Sequence, residues 1–261
     1  MGSLVAGVDI GAATAKALIM NDGHILGYFI MDTGASVAKA ADTVINEALE
    51  RAKASRGDLG YVVATGWGRD GVPFADKKVS EIICHAKGAR FLIPEAKSII
   101  DIGGQDSKAI SIDENGNVFS FAMNDKCAAG TGRFFEVMSD VLEVGLKEFG
   151  NIALKSSDPC DISSTCTVFA ETEVVAHRAE GRTVEDLVAG IVWSVARRVA
   201  MMARPVNLKP ELIFTGGVAK NAGVKKALEK EVGLEMLIPD EPQIVGALGA
   251  AILAKAEVNK A

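Results

Sequence analysis

The apolar positions at the start of the chain form two short runs on either side of a glycine turn, Asp9-Ile10-Gly11. Asp22-Gly23 follows the second run and is a typical hairpin turn, so the pattern predicts a meander of three strands. After this meander the apolar spacing becomes helical. It predicts two helices with a strand between them, over residues 37–51, 61–64 and 79–91.

The second part of the chain begins with the same pattern. Asp101-Ile102-Gly103 stands between two apolar runs, and Asn115-Gly116 takes the place of the first hairpin turn. Aligned from Asp9 and from Asp101, the two segments share Asp, Ile, Gly, Lys and Ala at a constant offset. We therefore predict an α/β fold of two similar halves, in which mixed sheets are covered by helices and a cleft lies between the halves. The remaining periodic segments predict four helices, over residues 133–144, 168–180, 184–203 and 245–256, and a strand over 212–215.

Length and charge restrict the possible classes of function. The chain has 261 residues, enough for two modest cores, and its 28 basic and 34 acidic residues give a net charge of −6. This charge argues against broad electrostatic binding to nucleic acid or to an anionic membrane surface. Charged residues interrupt both long apolar segments, so no membrane span is expected. The N-terminus shows no secretory signal, and we expect a cytoplasmic protein whose four cysteines are reduced.

Glycine is frequent, with 27 residues, and the glycines cluster after apolar strands. Each Asp-Ile-Gly segment places a carboxylate at the end of a buried strand, before a turn whose N–H groups can point at phosphate oxygens. A carboxylate that faces a phosphate needs a cation between them. Asp9 and Asp101 are therefore candidates for the Mg²⁺ side, and Lys16 for direct phosphate contact. A third turn, Thr215-Gly216-Gly217, opens a predicted helix, and a fourth, Gly246-Ala247-Leu248-Gly249, is a small-residue helix suited to close packing.

The common glycine fingerprints for nucleotides are missing from the sequence. It contains no GxxxxGK[ST] loop, and Gly66-Trp67-Gly68 is not completed as a dinucleotide fingerprint. The order of the four turns instead resembles the ATPase core shared by actin, the 70-kilodalton heat-shock chaperones and sugar kinases. That resemblance implies a duplicated ribonuclease-H-like fold with MgATP in the cleft, phosphates on the two hairpins and adenosine on the third turn. The first domain would comprise residues 1–95 and the C-terminal helix 245–261, and the second domain residues 96–244.

Two of the four cysteines have comparable settings. Cys127 and Cys166 each come directly before a predicted helix, whose N-terminus suits an anionic metal–thiolate centre. Cys84 and Cys160 have no such setting, and we interpret them as structural. Two small buried cysteines would be the alternative explanation for the first pair. Two thiolates do not complete a four-cysteine iron–sulfur or zinc site, but a two-fold dimer would supply the other two.

The segments around these cysteines, residues 124–134 and 162–171, together with Cys84-His85-Ala86, resemble the activator (archerase) component of 2-hydroxyacyl-CoA dehydratases. The likeness runs nearly end to end, and the wider family includes ATPase subunits of benzoyl-CoA reductases. It implies a homodimer with one four-iron four-sulfur cluster, bridged by Cys127 and Cys166 of each copy. ATP binding and hydrolysis would change the geometry of the helices that end on the cluster. A single low-potential electron would then pass to a dehydratase or a related acyl-CoA reductase, with a ferredoxin or flavodoxin as donor.

The resemblance also assigns site residues by position. Asp9, Asp101 and Gln105 are the candidate catalytic residues. The candidate nucleotide-binding residues are Gly11, Ala12, Ala13, Thr14, Ala15, Lys16, Gly103, Gly104, Gly216, Gly217, Lys220 and Gln243. Two departures from the family pattern matter. The family usually has Ser-Thr in place of Ala12-Ala13, so hydroxyl contacts to phosphate are lost while backbone N–H contacts remain. It usually has Gln or Arg in place of Lys220.

Two other functions fit the same fold. A small-molecule kinase would need a carboxylate base aimed at a substrate hydroxyl, and Asp106 is the candidate, but this reading leaves both cysteine segments unexplained. An actin-like filament or a chaperone fragment is the non-enzymatic alternative. Substrate-dependent ADP release would support the first, and nucleotide-dependent polymers the second.

Overall fold

The computed structural model describes residues 4–163 and 165–260. It divides into two compact units. The first comprises the described part of Met1–Lys97, with Ile112–Phe119 and Pro239–Ala261, and the second comprises Ser98–Ser111 and Ser120–Ile238. The domain boundaries expected from the sequence stay a prediction.

The first unit contains a mixed five-stranded sheet of order β3-β2-β1-β4-β5. Strands β1 to β3 form the predicted antiparallel meander, β4 adds to β1 in parallel, and β5 adds to β4 in parallel. Its elements are β1 (Leu4–Ile10), β2 (Thr14–Asn21), β3 (His24–Asp32), α1 (Val37–Ala52), β4 (Leu59–Thr65), β5 (Lys77–Lys78), α2 (Glu81–Leu92) and α8 (Val245–Val258).

Alternate residues of β1 pack on opposite faces of this sheet, as the two-residue period of a strand requires. Ala6, Val8 and Ile10 pack with α1, while Val5 packs with the group that contains Cys84 and Leu248. The close packing predicted for the small residues of α8 is confirmed. A Cβ at Gly249 would lie 1.7 Å from the Cys84 carbonyl oxygen, and one at Gly7 would lie 1.9 Å from that of Ala247. Only glycine permits these approaches.

The second unit contains a sheet of order β10-β9-β6-β7-β8, which repeats the strand order of the first. Strands β6 and β7 are antiparallel, and β9 adds to β6 in parallel, as β4 does to β1. Its elements are β6 (Ser98–Ile102), β7 (Ser107–Ile112), β8 (Val118–Asn124), α3 (Gly132–Leu142), α4 (Phe149–Ala153), α5 (Thr167–Ala179), α6 (Val184–Ala203), β9 (Leu212–Thr215), α7 (Ala222–Val232) and β10 (Met236–Leu237).

One face of β6 and β9 carries the core of the second unit. Ile100, Ile102, Leu212 and Phe214 point into a buried group that also contains Phe134 and other residues of α3, α6 and α7. The two repeated sheets, each covered by helices, confirm the predicted α/β class. None of the helices in the described ranges is long and apolar enough to cross a membrane.

Candidate functional site

Asp9 lies at the end of β1, between one residue of β2 and one of β4. The sheet register pairs it with Lys16 on the antiparallel side and with Thr65 on the parallel side. The Lys16 ammonium is 3.5 Å from Asp9 Oδ2 and donates a hydrogen bond of 3.2 Å to the carbonyl of Thr14. Asp9 and Thr65 are both buried, so the strand pairing holds Thr65 next to the Asp9 residue.

The same arrangement recurs around Asp101 at the end of β6. Its sheet partners are Lys108 and Thr215. Lys108 Nζ lies 3.2 Å from Asp101 Oδ2 and 2.6 Å from Asp106 Oδ1, and the Thr215 hydroxyl donates to Asp101 Oδ1 at 2.7 Å. Burial alone would lower the pKa of Lys108, but the charges of Asp101 and Asp106 outweigh burial and hold this pKa above its ordinary value.

A Thr-Gly turn follows the parallel strand in both units. Gly66 has φ +85° and Gly216 has φ +86°. A Cβ on Gly66 would lie 2.3 Å from Asp9 Oδ1, and one on Gly216 would lie 2.2 Å from the Ile102 carbonyl oxygen. Both positions therefore need glycine for conformation and for space. Sequence reasoning found the second turn and missed the first, although Thr65-Gly66 repeats Thr215-Gly216 after an apolar strand.

The two hairpin turns close in the same way. Gly11 N–H donates to the carbonyl of Thr14 at 3.0 Å, and Gly103 N–H donates to that of Asp106 at 2.9 Å. The first turn is also held by Thr33, whose hydroxyl donates to the Gly11 carbonyl at 2.7 Å. Ala12, Ala13 and Thr14 are half-buried in this turn, and the Ala15 side chain is buried in the α1 core. A ligand would therefore meet backbone at Ala15.

The third turn differs in detail from the prediction that it opens a helix directly. Gly217–Lys220 forms a short 3₁₀ turn, and Asn221 then caps α7 by accepting a hydrogen bond from Val224 N–H at 3.1 Å. Gly216 is buried, whereas Gly217 and Lys220 are exposed. In the first unit, Gln243 is half-buried, two residues before α8.

The two candidate cluster cysteines lie on neighbouring loops of the second unit, and both are half-buried. Cys166 is the N-cap residue of α5, as predicted. The helix predicted over 133–144 is α3, which begins at Gly132 with Thr131 as its N-cap, so Cys127 lies in the preceding loop and not at the helix terminus. The helix-dipole argument therefore applies to Cys166 alone. The Cys127 thiol is 3.9 Å from the carbonyl oxygen of Thr165, which brings the two loops together. Ser164, part of the second cysteine segment, is outside the described residues.

Hydrogen bonds connect the second hairpin to the start of α3. Gly132 N–H donates to the Gly103 carbonyl at 2.8 Å, and Arg133 N–H donates to that of Gly104 at 2.7 Å. Thr131, the N-cap of α3, donates its hydroxyl to the carbonyl of Ala128 at 2.7 Å. The hairpin and the Cys127 loop are thus joined through the first turn of one helix.

Gln105 is exposed at the tip of this hairpin. It lines a cavity of about 190 Å³ together with Asp125, Lys126, Cys127, Ala128 and Arg133. The hairpin tip and the cysteine therefore share one open space. A small ligand in this cavity would therefore contact both Gln105 and the Cys127 loop.

Within the described ranges, no group of three or more His, Cys, Asp and Glu side chains is arranged to hold a metal ion. Cys127 and Cys166 are therefore a pair for which the described part of the chain offers no third ligand of this kind. Two thiols on adjoining, half-buried loops fit one half of a four-cysteine site.

Known proteins resemble this chain over almost its full length. The 2-hydroxyisocaproyl-CoA dehydratase activator of Clostridioides difficile is 43% identical over 97% of this chain and 96% of its own. The (R)-2-hydroxyglutaryl-CoA dehydratase activating ATPase of Acidaminococcus fermentans is also 43% identical, over 97% and 98%. The solved activator of the 2-hydroxyisocaproyl-CoA dehydratase from Clostridium difficile with bound ADPNP matches with a TM-score of 0.93 and 42% identity, over 98% and 96%.

The fold, the repeated Asp-Ile-Gly hairpins and these relatives agree with a match of residues 6–254 to one family profile. The family resemblance seen in the sequence is confirmed, and so is the fold of actin-like ATPases. The chain belongs to the BadF/BadG/BcrA/BcrD ATPase family.

Proposed function

We propose that the protein is an ATP-hydrolysing activator that delivers a single low-potential electron to a 2-hydroxyacyl-CoA dehydratase. The electron would come from a four-iron four-sulfur cluster held between two copies of the chain. The names of the relatives support the kind of partner. A ferredoxin or flavodoxin would supply the electron.

One observation carries this proposal. The first turn of α3 is hydrogen-bonded to the second phosphate hairpin and leads back to the loop of Cys127. A change at Gly103 and Gly104 on nucleotide binding or hydrolysis would therefore reach the thiol through a few short bonds. This is the contact that an ATP-gated electron donor needs, because the ligand must interact differently with two states of the coupled element.

The residues present fit the cluster. Cys127 and Cys166 of each copy would hold it, which gives four thiolates on a two-fold axis. The cluster would supply one-electron transfer. The chain's own part is to present both thiols on adjoining loops and to keep them half-buried. Solvent exposure and hydrogen bonds to sulfur then set the reduction potential.

The nucleotide residues divide by unit. In the first unit, we propose that Lys16 and the backbone of the hairpin from Gly11 to Ala15 bind phosphate, with Asp9 on the Mg²⁺ side and Gln243 near the nucleotide. Lys16 is held by one carboxylate at 3.5 Å and one carbonyl at 3.2 Å, both of which it could exchange for phosphate oxygens.

In the second unit, we propose that Asp101 orients Mg²⁺ and its waters, and that Gln105 acts at the phosphate from the hairpin tip. Gly103 and Gly104 would meet phosphate through the backbone. Gly216, Gly217 and Lys220 would bind the adenosine.

The kinase alternative loses its base in this geometry. Asp106 is paired with the Lys108 ammonium at 2.6 Å, and ion pairing of this kind favours a carboxylate that is held rather than one that accepts a substrate proton. A benzoyl-CoA reductase-type partner uses the same kind of electron. It is separated from a dehydratase by adding each purified partner enzyme and measuring ATP-dependent turnover.

The test of the proposal is iron and acid-labile sulfide in protein purified without oxygen. We expect about four of each per dimer. Cys127→Ala and Cys166→Ala should lose them while still binding ATP. Cys84→Ala and Cys160→Ala are matched controls and should keep them. Full iron in both Cys127→Ala and Cys166→Ala, or no iron in the parent protein even after reconstitution, would contradict the proposal.

A further inference from the structure

We infer that Arg198 is a positioning residue for the cluster: it ties the two cysteine loops together and places a permanent positive charge beside them. This inference rests on the proposed function. Arg198 belongs to α6, which packs in the core of the second unit. Its neighbour Arg197 lies on the same helix and offers a natural comparison.

The stem of Arg198 lies against the Cys127 loop. Gly130 has φ +89°, and a Cβ there would lie 3.1 Å from Arg198 Cδ and 3.4 Å from its Cγ. The absence of a side chain at Gly130 lets the arginine stem pass at this short distance. The contact therefore packs Arg198 of α6 against the loop between β8 and α3, which contains Cys127.

The guanidinium reaches the other loop. Arg198 Nη1 donates a long hydrogen bond of 3.4 Å to the carbonyl of Thr165, the residue before Cys166. The same carbonyl oxygen is 3.9 Å from the Cys127 thiol. One oxygen atom is thus shared by the guanidinium and by a cluster cysteine, and one arginine contacts both cysteine loops.

The charge has a consequence for the potential. A guanidinium stays protonated at every accessible pH, so its charge is constant. A positive charge near a redox centre favours the form that has gained an electron. The guanidinium and the Cys127 thiol both lie within 4 Å of the Thr165 carbonyl oxygen, so salt screens this charge only in part. Arg198 should therefore raise the reduction potential of the cluster.

Arg197 separates the two effects. It donates to Asp161 Oδ1 at 3.0 Å, on the same loop as Cys166, and the pair is largely exposed. It therefore contributes an equal formal charge and a hydrogen bond to the same loop, but among the described residues its partner is Asp161 and not Thr165. Exposed ion pairs of this kind contribute little to stability.

The experiment uses the anaerobically purified, cluster-loaded full chain. Arg198→Gln, Arg198→Lys and the matched control Arg197→Gln are compared with the parent protein. The readouts are iron per dimer, the rate of iron release to a chelator, and the midpoint potential from a spectroscopic redox titration. Arg198→Gln should have a lower midpoint potential and release iron several times faster.

Arg198→Lys keeps the charge but loses the planar, multiple donor geometry. Its potential should stay near that of the parent protein, while its iron release is faster. Arg197→Gln should match the parent in both readouts. If Arg198→Gln is too unstable to load, the potential and release rate of Arg198→Lys decide the positioning role.

The outcomes are distinguishable. A parent protein without iron contradicts the proposed function itself. A loaded parent protein together with an Arg198→Gln variant of unchanged potential and release rate overturns the role of Arg198 only. Equal changes in Arg197→Gln and Arg198→Gln also overturn it, because they would show a general effect of α6 charge.

Discussion

Two lysines occupy equivalent places in the two hairpins but differ in their contacts. Lys108 is buried and contacts two carboxylates, Asp101 and Asp106, whereas Lys16 is looser, 3.5 Å from Asp9. Removing one partner of a buried ion pair leaves an uncompensated charge. The first lysine is therefore expected to stabilise the fold and the second to bind ligand.

We expect Lys108→Met to lower the free energy of unfolding by about 3 kcal/mol or more. Lys16→Met should change stability less but weaken ADP binding at least about tenfold, since a charge-assisted contact to phosphate is lost. Urea denaturation and calorimetric titration with ADP measure the two effects. Equal stability of the two variants would contradict the division of roles.

The Thr-Gly turns allow a second comparison. Gly66→Ala and Gly216→Ala should each cost more stability than Gly34→Ala. Gly34 also has positive φ, +62°, but nothing lies within 4 Å of its Cβ position. Its alanine variant therefore pays about 1–2 kcal/mol for backbone conformation alone. The other two add a clash with backbone, of about 1–3 kcal/mol. Thermal or urea unfolding of the three variants checks the order, and a Gly34→Ala variant as unstable as the others would be inconsistent with it.

Cys84 gives a prediction about pH. Burial raises the pKa of its thiol to about 12, whereas an unfolded thiol titrates near ~8.5. Between these values the folded state binds the extra proton, so this group's stabilisation is complete below the lower pKa and is lost as pH rises toward the upper one. The free energy of unfolding should fall by about 1.4 kcal/mol per pH unit from this group.

Denaturant unfolding between pH 9 and 11, in reductant, measures this slope. Cys84→Ala should show a shallower slope than the parent protein, whatever its stability at neutral pH. The Cys160→Ala variant serves as a control for loss of another buried thiol. Parallel slopes in the parent and Cys84→Ala would exclude the linkage.

At the residue scale, the sequence was informative where a side chain has a strong local motif. The Asp-Ile-Gly segments identified Asp9 and Asp101 as strand-end carboxylates, which the structure bears out. The role of Lys108 and the Thr65-Gly66 turn were both missed. Lys108 pairs with Asp101 across β6 and β7, although both of its carboxylate partners are close in sequence. Thr65 faces Asp9 only through the parallel pairing of β4 with β1.

At the scale of elements, α3 is the connection between hairpin and cysteine. Its first residue, Gly132, is packed so closely that a Cβ would lie 3.0 Å from the Gly103 carbonyl oxygen and 3.2 Å from Gly104 Cα. A methyl group there would push the helix start away from the hairpin. The hydrogen bonds that join the two would then lengthen.

We expect Gly132→Ala to keep nucleotide binding but to reduce the effect of ADPNP on the rate at which a chelator removes iron. Gly145→Ala, beyond the other end of α3, is the matched control, because the three atoms nearest to its Cβ would belong to the flexible Glu148 side chain. Iron release with ADP and with ADPNP is measured for both variants. If nucleotide changes the rate as much in Gly132→Ala as in the control, this contact does not transmit the change.

Predictions of elements succeeded where periodicity is long. The helix over 184–203 was predicted with its observed bounds, because α6 has a strong apolar pattern and Thr183 caps it by accepting from Asp186 N–H. The five-residue α4 was missed, since it is too short to show a period. The start of α3 was predicted within one residue, but Cys127 lies ahead of it in a loop where Gly130 and Gly132 allow close packing.

At the scale of the whole molecule, the repeat in the sequence corresponds to two sheets of the same strand order. Two similar halves could therefore be predicted from ten aligned residues at each copy's start, and the ATPase fold from the resemblance carried by the order of the four glycine turns. What the sequence could not give is the difference between the copies. The second hairpin carries Asp106 where the first has Thr14, so Lys108 contacts two carboxylates, whereas Lys16 contacts one carboxylate and a backbone carbonyl.

Because Cys127 and Cys166 supply only two of the four thiolates, formation of the proposed centre depends on the concentration of the chain. If each chain carries half of the ligands, loading is second order in chain concentration, and dilution alone should empty the site. A cell would then adjust the amount of competent activator more steeply than the amount of protein it makes. Expression level, rather than iron supply alone, would decide how much reducing capacity is present.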